Sequence, residues 1–290
     1  MAMDLLDLVL DPLRSGIWRR AALEVVLLGG ICGALSFWVT SFRLSYPAES
    51  LAHGLLPGLV LASLAGIPLV LGGLGGVALA AAMVATAARD PRVGADSATA
   101  VVVTGMFGLG ALLALSPDAP PRLEELLFGD PLGVSDGDLL AAAALALGGT
   151  AILAALHRPL CAVAFDSPGA GALGLRPGWV RLGLFMLLAL AVAVAVQALG
   201  SLLVLAVLVA PAVAVSRGSG TPAVAMAGGA AVAAASGLAG LAASFHVGSA
   251  AGASVALALC VAAAVGTALP RSVRQGRAQA SPGHGHRERA

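Results

Sequence analysis

Nine apolar runs follow one another along the chain, separated by short polar segments or by Gly and Pro. They cover residues 21–40, 50–66, 68–89, 97–115, 135–157, 178–197, 199–215, 221–243 and 249–269. A helix crosses the hydrocarbon core of a bilayer with about 20 apolar residues, so most of these runs have the length of one span. The pattern therefore predicts an all-α polytopic membrane protein with eight or nine transmembrane helices in one bundle. Eight stays open because several runs are short or contain Pro and Gly.

The predicted spans divide the chain into three parts. Residues 1–20 interleave apolar and charged positions, which is typical of an arm lying along the membrane interface. Residues 21–270 form the transmembrane domain, and residues 271–290 form a polar tail that we expect to be disordered. Two connections are long: 116–134 is acidic and rich in Pro, and 158–177 contains a turn signal at "DSPG".

Arginine placement predicts the orientation of the bundle, since cytoplasmic loops of membrane proteins are enriched in basic residues. One set of alternate connections contains Arg43, Arg89, Arg92, Arg158, Arg176, Arg181, Arg217, Arg271, Arg274 and Arg277. The connections on the opposite side contain Arg122 within an acidic stretch. We therefore place the C-terminus and the 158–177 connection in the cytoplasm. Arg14, Arg19 and Arg20 depart from the rule, because nine spans put the N-terminal arm outside.

Composition agrees with a membrane protein and excludes several activities. Hydrophobic residues make up 59% of the chain and charged residues 11%, whereas a soluble domain carries about 25% charged residues. All 16 basic residues are Arg, which excludes a P-loop, because that loop ends in Gly-Lys followed by Ser or Thr. The chain is therefore not expected to be an ordinary ATPase by itself. A net charge of +1 gives no reason to expect nucleic-acid binding.

One apolar run contains two ionisable side chains a helical turn apart, in "YPAESLAHGLLPG" at residues 46–58. Glu49 and His53 are spaced i, i+4 and share a helix face. His53 lies about 15 Å into a hydrocarbon core of about 30 Å, where ionisable groups usually face a bundle interior or a water-filled path. Pro57 cannot donate to the carbonyl of His53, so that carbonyl is expected to be free as a third ligand.

Carboxylate and imidazole donors suit zinc, manganese or iron as divalent ions. Two protein ligands make an open site that binds weakly, as an ion path requires, because the ion must leave again. Two structural interpretations stay open on the spacing alone: Glu49 caps the span at the interface, or His53 is hydrogen-bonded across helices. An intramembrane metalloenzyme ranks last, since the pair offers too few ligands and no general base beyond Glu49, and the sequence contains no HExxH.

Five segments resemble, in the same order, the ABC-3 family of metal-ion ABC transporter permeases. In "AESLAHGLLPGLVLASLAGIPLVLGG" the family commonly has Asp-Ala-Leu-Ser-His followed by Leu-Pro-Gly. The others are "DSATAVVVTGMFGLGALLALS", "EELLFGDPLGVSDGDL", "AFDSPGAGALGL" and "QALGSLLVLAVLVAPAVAV", and together they extend over about residues 21–270. The chain departs from the family pattern at Glu49, where Asp is usual, and at Gly171, where Arg is frequent.

The resemblance implies a permease subunit that forms a dimer with a second copy of itself. In this family a solute-binding protein outside the membrane delivers the metal, and a separate cytoplasmic ATP-binding subunit powers transport. The resemblance places Glu49 and His53 on the ion path and makes the transported ion the sole metal, with no permanently bound cofactor. It also assigns the contact with the ATPase to Phe165, Asp166, Ala172, Leu173 and Gly174.

Further candidates lie elsewhere in the chain. His246, in "SFHVGSAAG" on the predicted outer side, could meet an arriving ion. Pro57 and Pro211 are expected to bend their spans. His157 is interpreted as an interfacial residue at the end of its span, and the three cysteines as inert thiols. The "HGH" of the tail is a minor hypothesis for regulatory metal binding.

The sequence thus predicts the permease of an ABC importer in the lipid of the cytoplasmic membrane. It would move a divalent transition metal by alternating access, with zinc favoured over manganese because imidazole suits zinc. The alternative is a proton-coupled secondary transporter in which Glu49 and His53 form the proton relay.

Overall fold

Long α-helices make up almost all of the described chain. The computed structural model describes residues 15–87, 95–116, 133–218 and 220–268. Within these ranges there are eleven α-helices and no strand. The helices are α1 (Gly16–Ser41), α2 (Ser45–Gly54), α3 (Leu56–Ala65), α4 (Leu69–Ala87), α5 (Ala95–Ala114), α6 (Asp136–Phe165), α7 (Ser167–Ala172), α8 (Pro177–Leu199), α9 (Ser201–Val215), α10 (Pro222–Val247) and α11 (Ala251–Ala268).

The helix lengths fit a membrane. Seven helical segments of the described chain are long and apolar enough to cross a bilayer, and one of them, Ser45–Ala65, consists of α2 and α3 together. Two further apolar helices, Leu69–Val84 and Ser201–Val215, are shorter. These nine segments lie on the nine apolar runs, so the prediction of an all-α polytopic membrane protein is confirmed. The chain is an integral membrane protein.

Small residues let the helices pack closely, as the composition suggested. Helix α1 packs against α10, α9 and α6. A Cβ atom on Gly33 of α1 would meet the backbone carbonyl of Gly229 on α10, so the two helices touch through their backbones. Gly58 and Gly72 bring α3 and α4 together in the same way. Helix α8 is buried over most of its second half. It packs against α6, α9 and α1, and also against α2.

One end of the bundle is marked by an ion pair and an aromatic pair. Arg20 Nη2 lies 2.7 Å from Asp136 Oδ1, which joins the start of α1 to the start of α6. Trp18 meets Phe245 edge to face, with ring centroids 5.0 Å apart, which adds the end of α10. Helices α1 and α6 therefore run in the same direction and α10 runs against them. Arg20, which departed from the arginine pattern, has a carboxylate partner at this end.

Three boundaries differ from those predicted. Helix α1 begins at Gly16, so residues 16–20 belong to the first span rather than to an interfacial arm. Helix α6 continues past the predicted end at residue 157 and includes Pro159, because a proline within a long packed helix costs hydrogen bonds without ending it. The "DSPG" signal begins the short helix α7, with Pro168 in its first turn, instead of forming a turn. Residues 1–14, 117–132 and 269–290 lie outside the described chain, as do Arg89 and Arg92.

Candidate functional site

Glu49 and His53 lie on α2, a ten-residue helix that ends at Gly54. Helix α3 starts two residues later with Pro57 in its first turn, a position where the missing N–H of proline is tolerated. Leu55, between the two helices, keeps right-handed helical dihedral angles, φ −66° and ψ −33°. Pro57 therefore interrupts the hydrogen bonds of this span, while the backbone between α2 and α3 stays in the right-handed helical conformation.

The two side chains differ in exposure. His53 is half-buried and packs edge to face against Phe107 of α5, with ring centroids 5.2 Å apart. Its Nδ1 atom is buried and has no hydrogen-bond partner in the described chain. Glu49 is exposed on the surface of the single chain, although its neighbours Ala48 and Ser50 are buried. The helix thus directs a carboxylate outward and holds an unpaired imidazole nitrogen one turn further along.

The backbone carbonyl of His53, which we expected to be available as a third ligand, is already hydrogen-bonded. It accepts a backbone N–H in the turn that ends α2. The prediction of an unpaired carbonyl was wrong, because the backbone N–H groups at the end of α2 bond to the carbonyls of His53 and Leu51, as 3₁₀-type bonds often do in the last turn of a helix. The site therefore rests on two side-chain donors.

The described residues of one chain do not complete a metal site. Among the described residues no group of three or more His, Cys, Asp or Glu side chains is arranged to hold an ion. No ion pair joins Glu49 to His53 within that part of the chain. A carboxylate and an imidazole with open positions around them can bind a divalent ion transiently, and further ligands must come from water or from another chain.

The segment predicted to contact an ATPase forms one exposed surface. Phe165 is 77% exposed at the end of α6, and Leu173 is 82% exposed after α7. Between them, Asp166 Oδ1 accepts the backbone N–H of Gly169 at 2.9 Å and caps α7. Ala172 is exposed, and Gly174 has φ +83°, which favours glycine. Two large apolar side chains therefore protrude beside a capped helix, on a surface that the rest of the described chain leaves uncovered.

The other predicted residues lie apart from this pair. His246 is exposed next to Phe245 near the end of α10, at the end of the bundle marked by Arg20 and Asp136. Glu49 is close to the opposite end, because α2 begins just after α1 finishes. Pro211 lies inside α9, which is helical on both sides of it.

A profile of the ABC 3 transport family matches residues 15–269. The chain belongs to this family. The match covers all the described helices, so the family resemblance of the five sequence segments is confirmed.

Three relatives of this ABC 3 protein are named as iron or manganese transport system membrane proteins. A probable iron transport system membrane protein of Haemophilus influenzae is 31% identical over 207 residues, which are 71% of this chain and 76% of the relative. The chelated iron transport system membrane protein YfeD of Yersinia pestis is 32% identical over 72% of this chain and 70% of its own. The manganese transport system membrane protein MntC of Halalkalibacterium halodurans is 29% identical over 72% of each chain.

The fold is shared with a solved structure. PsaBC from Streptococcus pneumoniae, in complex with Fab, superposes with a TM-score of 0.85 at 21% identity, covering 90% of this chain and 95% of that one. The likeness shows that the helices of this ABC 3 chain are arranged as in that protein.

Two features of the membrane domain were missed by the sequence analysis. Glu24 is 1% exposed inside α1, and both its carboxylate oxygens have no hydrogen-bond partner in the described chain. The sequence did contain a signal for this site, because Glu24 is an acidic residue at the fourth position of the first apolar run. His157 and Cys161 contact each other on α6. The sequence analysis missed their i, i+4 spacing because it ended that span at residue 157.

Proposed function

We propose that this protein is the permease of an ABC importer for a divalent first-row transition metal, and that Glu49 and His53 lie on its ion path. One observation carries the proposal: in a helix within the apolar part of an ABC 3 family chain, a carboxylate faces outward and an imidazole nitrogen lies unpaired one turn away. Ionisable groups at membrane depth are costly unless they serve a path for ions or protons.

The identity of the metal follows from the donors and the relatives together. Carboxylate and imidazole accept manganese, iron and zinc, and affinity alone does not select among them. The relatives named above are iron and manganese transport proteins. We therefore place manganese and iron ahead of zinc, which imidazole ligation alone had favoured.

A second copy of the chain is the proposed source of the missing ligands. Glu49 is exposed on a helix that should lie in the membrane, where lipid cannot solvate a carboxylate. If two copies meet on this face, each contributes a carboxylate and an imidazole to one enclosed path. We propose that the exposed Phe165 and Leu173, at the end of α6 and α7, contact the cytoplasmic ATP-binding subunit. The proposal agrees with the arginine pattern, which predicts a cytoplasmic C-terminus.

Metal uptake tests this function directly. A bacterial strain lacking its own importers would express this chain with its ATP-binding subunit and solute-binding protein, and accumulation of manganese, iron and zinc would be measured. We expect uptake to require all three components and to be lost in Glu49→Ala and His53→Ala at wild-type membrane abundance. Glu49→Asp, which restores the residue usual in the family, is the matched control and should retain uptake.

The same assay distinguishes the alternative transport mechanism. A proton-coupled transporter would accumulate metal without the ATP-binding subunit and would stop when the pH gradient is collapsed. Full uptake by both alanine variants would instead contradict the assigned path and direct attention to His246.

A further inference from the structure

The continuation of α6 beyond its predicted end brings a histidine and a cysteine together. His157 and Cys161 are spaced i, i+4 on this helix, and His157 Nε2 lies 3.8 Å from Cys161 Sγ. The imidazole of His157 also packs edge to face against Trp38 of α1, with ring centroids 6.0 Å apart. Both rings and the thiol therefore belong to the packed junction between α1 and α6.

The distance between the two donor atoms fits a shared metal ion. Zinc bonds a cysteine sulfur at about 2.3 Å and a histidine nitrogen at about 2.0–2.1 Å. Bonds of those lengths put sulfur and nitrogen about 3.6 Å apart at a tetrahedral angle and about 4.4 Å apart in line. The observed 3.8 Å lies between these limits, so one ion can contact both atoms without movement of the helix.

The pair is accessible. Cys161 and His157 are each partly exposed, and His157 borders a cavity of about 660 Å³ between α1, α6 and α10. Helix α6 has 30 residues, about 45 Å, which exceeds a hydrocarbon core of about 30 Å, so part of the helix extends beyond the lipid tails. Cys161 is four residues from the last residue of α6, near one end of the helix.

We propose that His157 and Cys161 form a second metal site, separate from Glu49 and His53, for a thiophilic divalent ion such as Zn²⁺. The thiol releases its proton to water as the sulfur–metal bond forms, and Nε2 donates its lone pair. Sulfur ligation favours zinc over manganese, which prefers oxygen donors. No third His, Cys, Asp or Glu joins the pair within the described chain, so water or a small ligand fills the remaining positions.

Protection from alkylation tests the site in the full-length protein. Purified protein in detergent would be treated with a maleimide, with and without ZnCl₂, and labelling of each cysteine would be quantified by mass spectrometry. We expect Zn²⁺ to slow labelling of Cys161 and MnCl₂ to leave it unchanged. Cys260 is an exposed cysteine on α11 and is the internal control, because no imidazole contact accompanies it among the described residues.

Two variants decide between a metal site and a lone thiol. His157→Ala should weaken protection of Cys161 by at least about tenfold in Zn²⁺ concentration, since even a residue that only supports a metal ligand contributes 10–100-fold to affinity. The Glu49→Ala/His53→Ala double variant should keep full protection. Absence of protection in the wild type, equal protection of Cys260, protection unchanged in His157→Ala, or its loss in the double variant would each overturn the proposal.

Discussion

The imidazole of His53 meets the ring of Phe107 edge to face, with centroids 5.2 Å apart. This contact joins α2 to α5 and fixes the direction of a side chain whose Nδ1 has no partner in the described chain. Aromatic pairs of this geometry contribute about 0.5–1.5 kcal/mol beyond burial. Phe107 therefore positions the proposed ion ligand without being a ligand.

Replacing Phe107 by Leu should lower metal uptake while leaving the protein folded. The apolar bulk is kept but the ring that holds His53 is lost, so we expect uptake to fall by up to about tenfold, the equivalent of about 1.4 kcal/mol. Initial uptake rates at matched membrane abundance measure the effect. Phe37→Leu is the control, because it removes a similar edge-to-face pair with Trp38 and leaves His53 untouched. Equal losses in the two variants would contradict a positioning role.

The packing of α1 should be sensitive to an added methyl group at Gly33 and should tolerate one at Gly30. A Cβ on Gly33 would lie 2.5 Å from the Gly229 carbonyl oxygen, whereas a Cβ on Gly30 meets nothing within 4 Å. Gly33→Ala should cost about 1–3 kcal/mol through overpacking, and Gly30→Ala should be neutral or stabilising by up to about 1 kcal/mol through helix propensity. Thermal unfolding in detergent checks both, and a Gly33→Ala midpoint at or above the wild type would show that α1 and α10 can separate freely.

The nine apolar segments could be predicted because the thickness of a bilayer sets the length of each helix. The end of α6 could not, since Arg158 and Pro159 look like a boundary in sequence while neighbouring helices hold the chain helical through them. The i, i+4 spacing of Glu49 and His53 predicted that they lie one turn apart on one helix, and both lie on α2. The partial burial of His53 involves Phe107, from a distant part of the chain, and no local pattern encodes that contact.

Glu24 should be dispensable for stability. A buried carboxylate without a hydrogen-bond partner stabilises nothing, and replacing it by a neutral group of similar size removes the cost of burying it. We expect Glu24→Gln and Glu24→Leu to unfold at or above the wild-type temperature in detergent, with Glu49→Gln, an exposed carboxylate, unchanged. A lower midpoint for both Glu24 variants would mean that Glu24 has a stabilising partner in the native protein.

Asp166 should matter for coupling to the ATPase more than for the fold. Its carboxylate caps α7 through the Gly169 N–H at 2.9 Å, and loss of such a cap costs about 1 kcal/mol locally. Asp166→Ala should therefore lower transport-dependent ATP hydrolysis by the assembled complex several-fold, while Asp166→Asn, which keeps a capping oxygen, retains most of it. Ser135→Ala removes the cap of α6 far from Phe165 and Leu173, and should leave hydrolysis unchanged. If both alanine variants impaired hydrolysis equally, the effect would belong to general helix stability, and the surface formed by α6 and α7 would lose its assigned role.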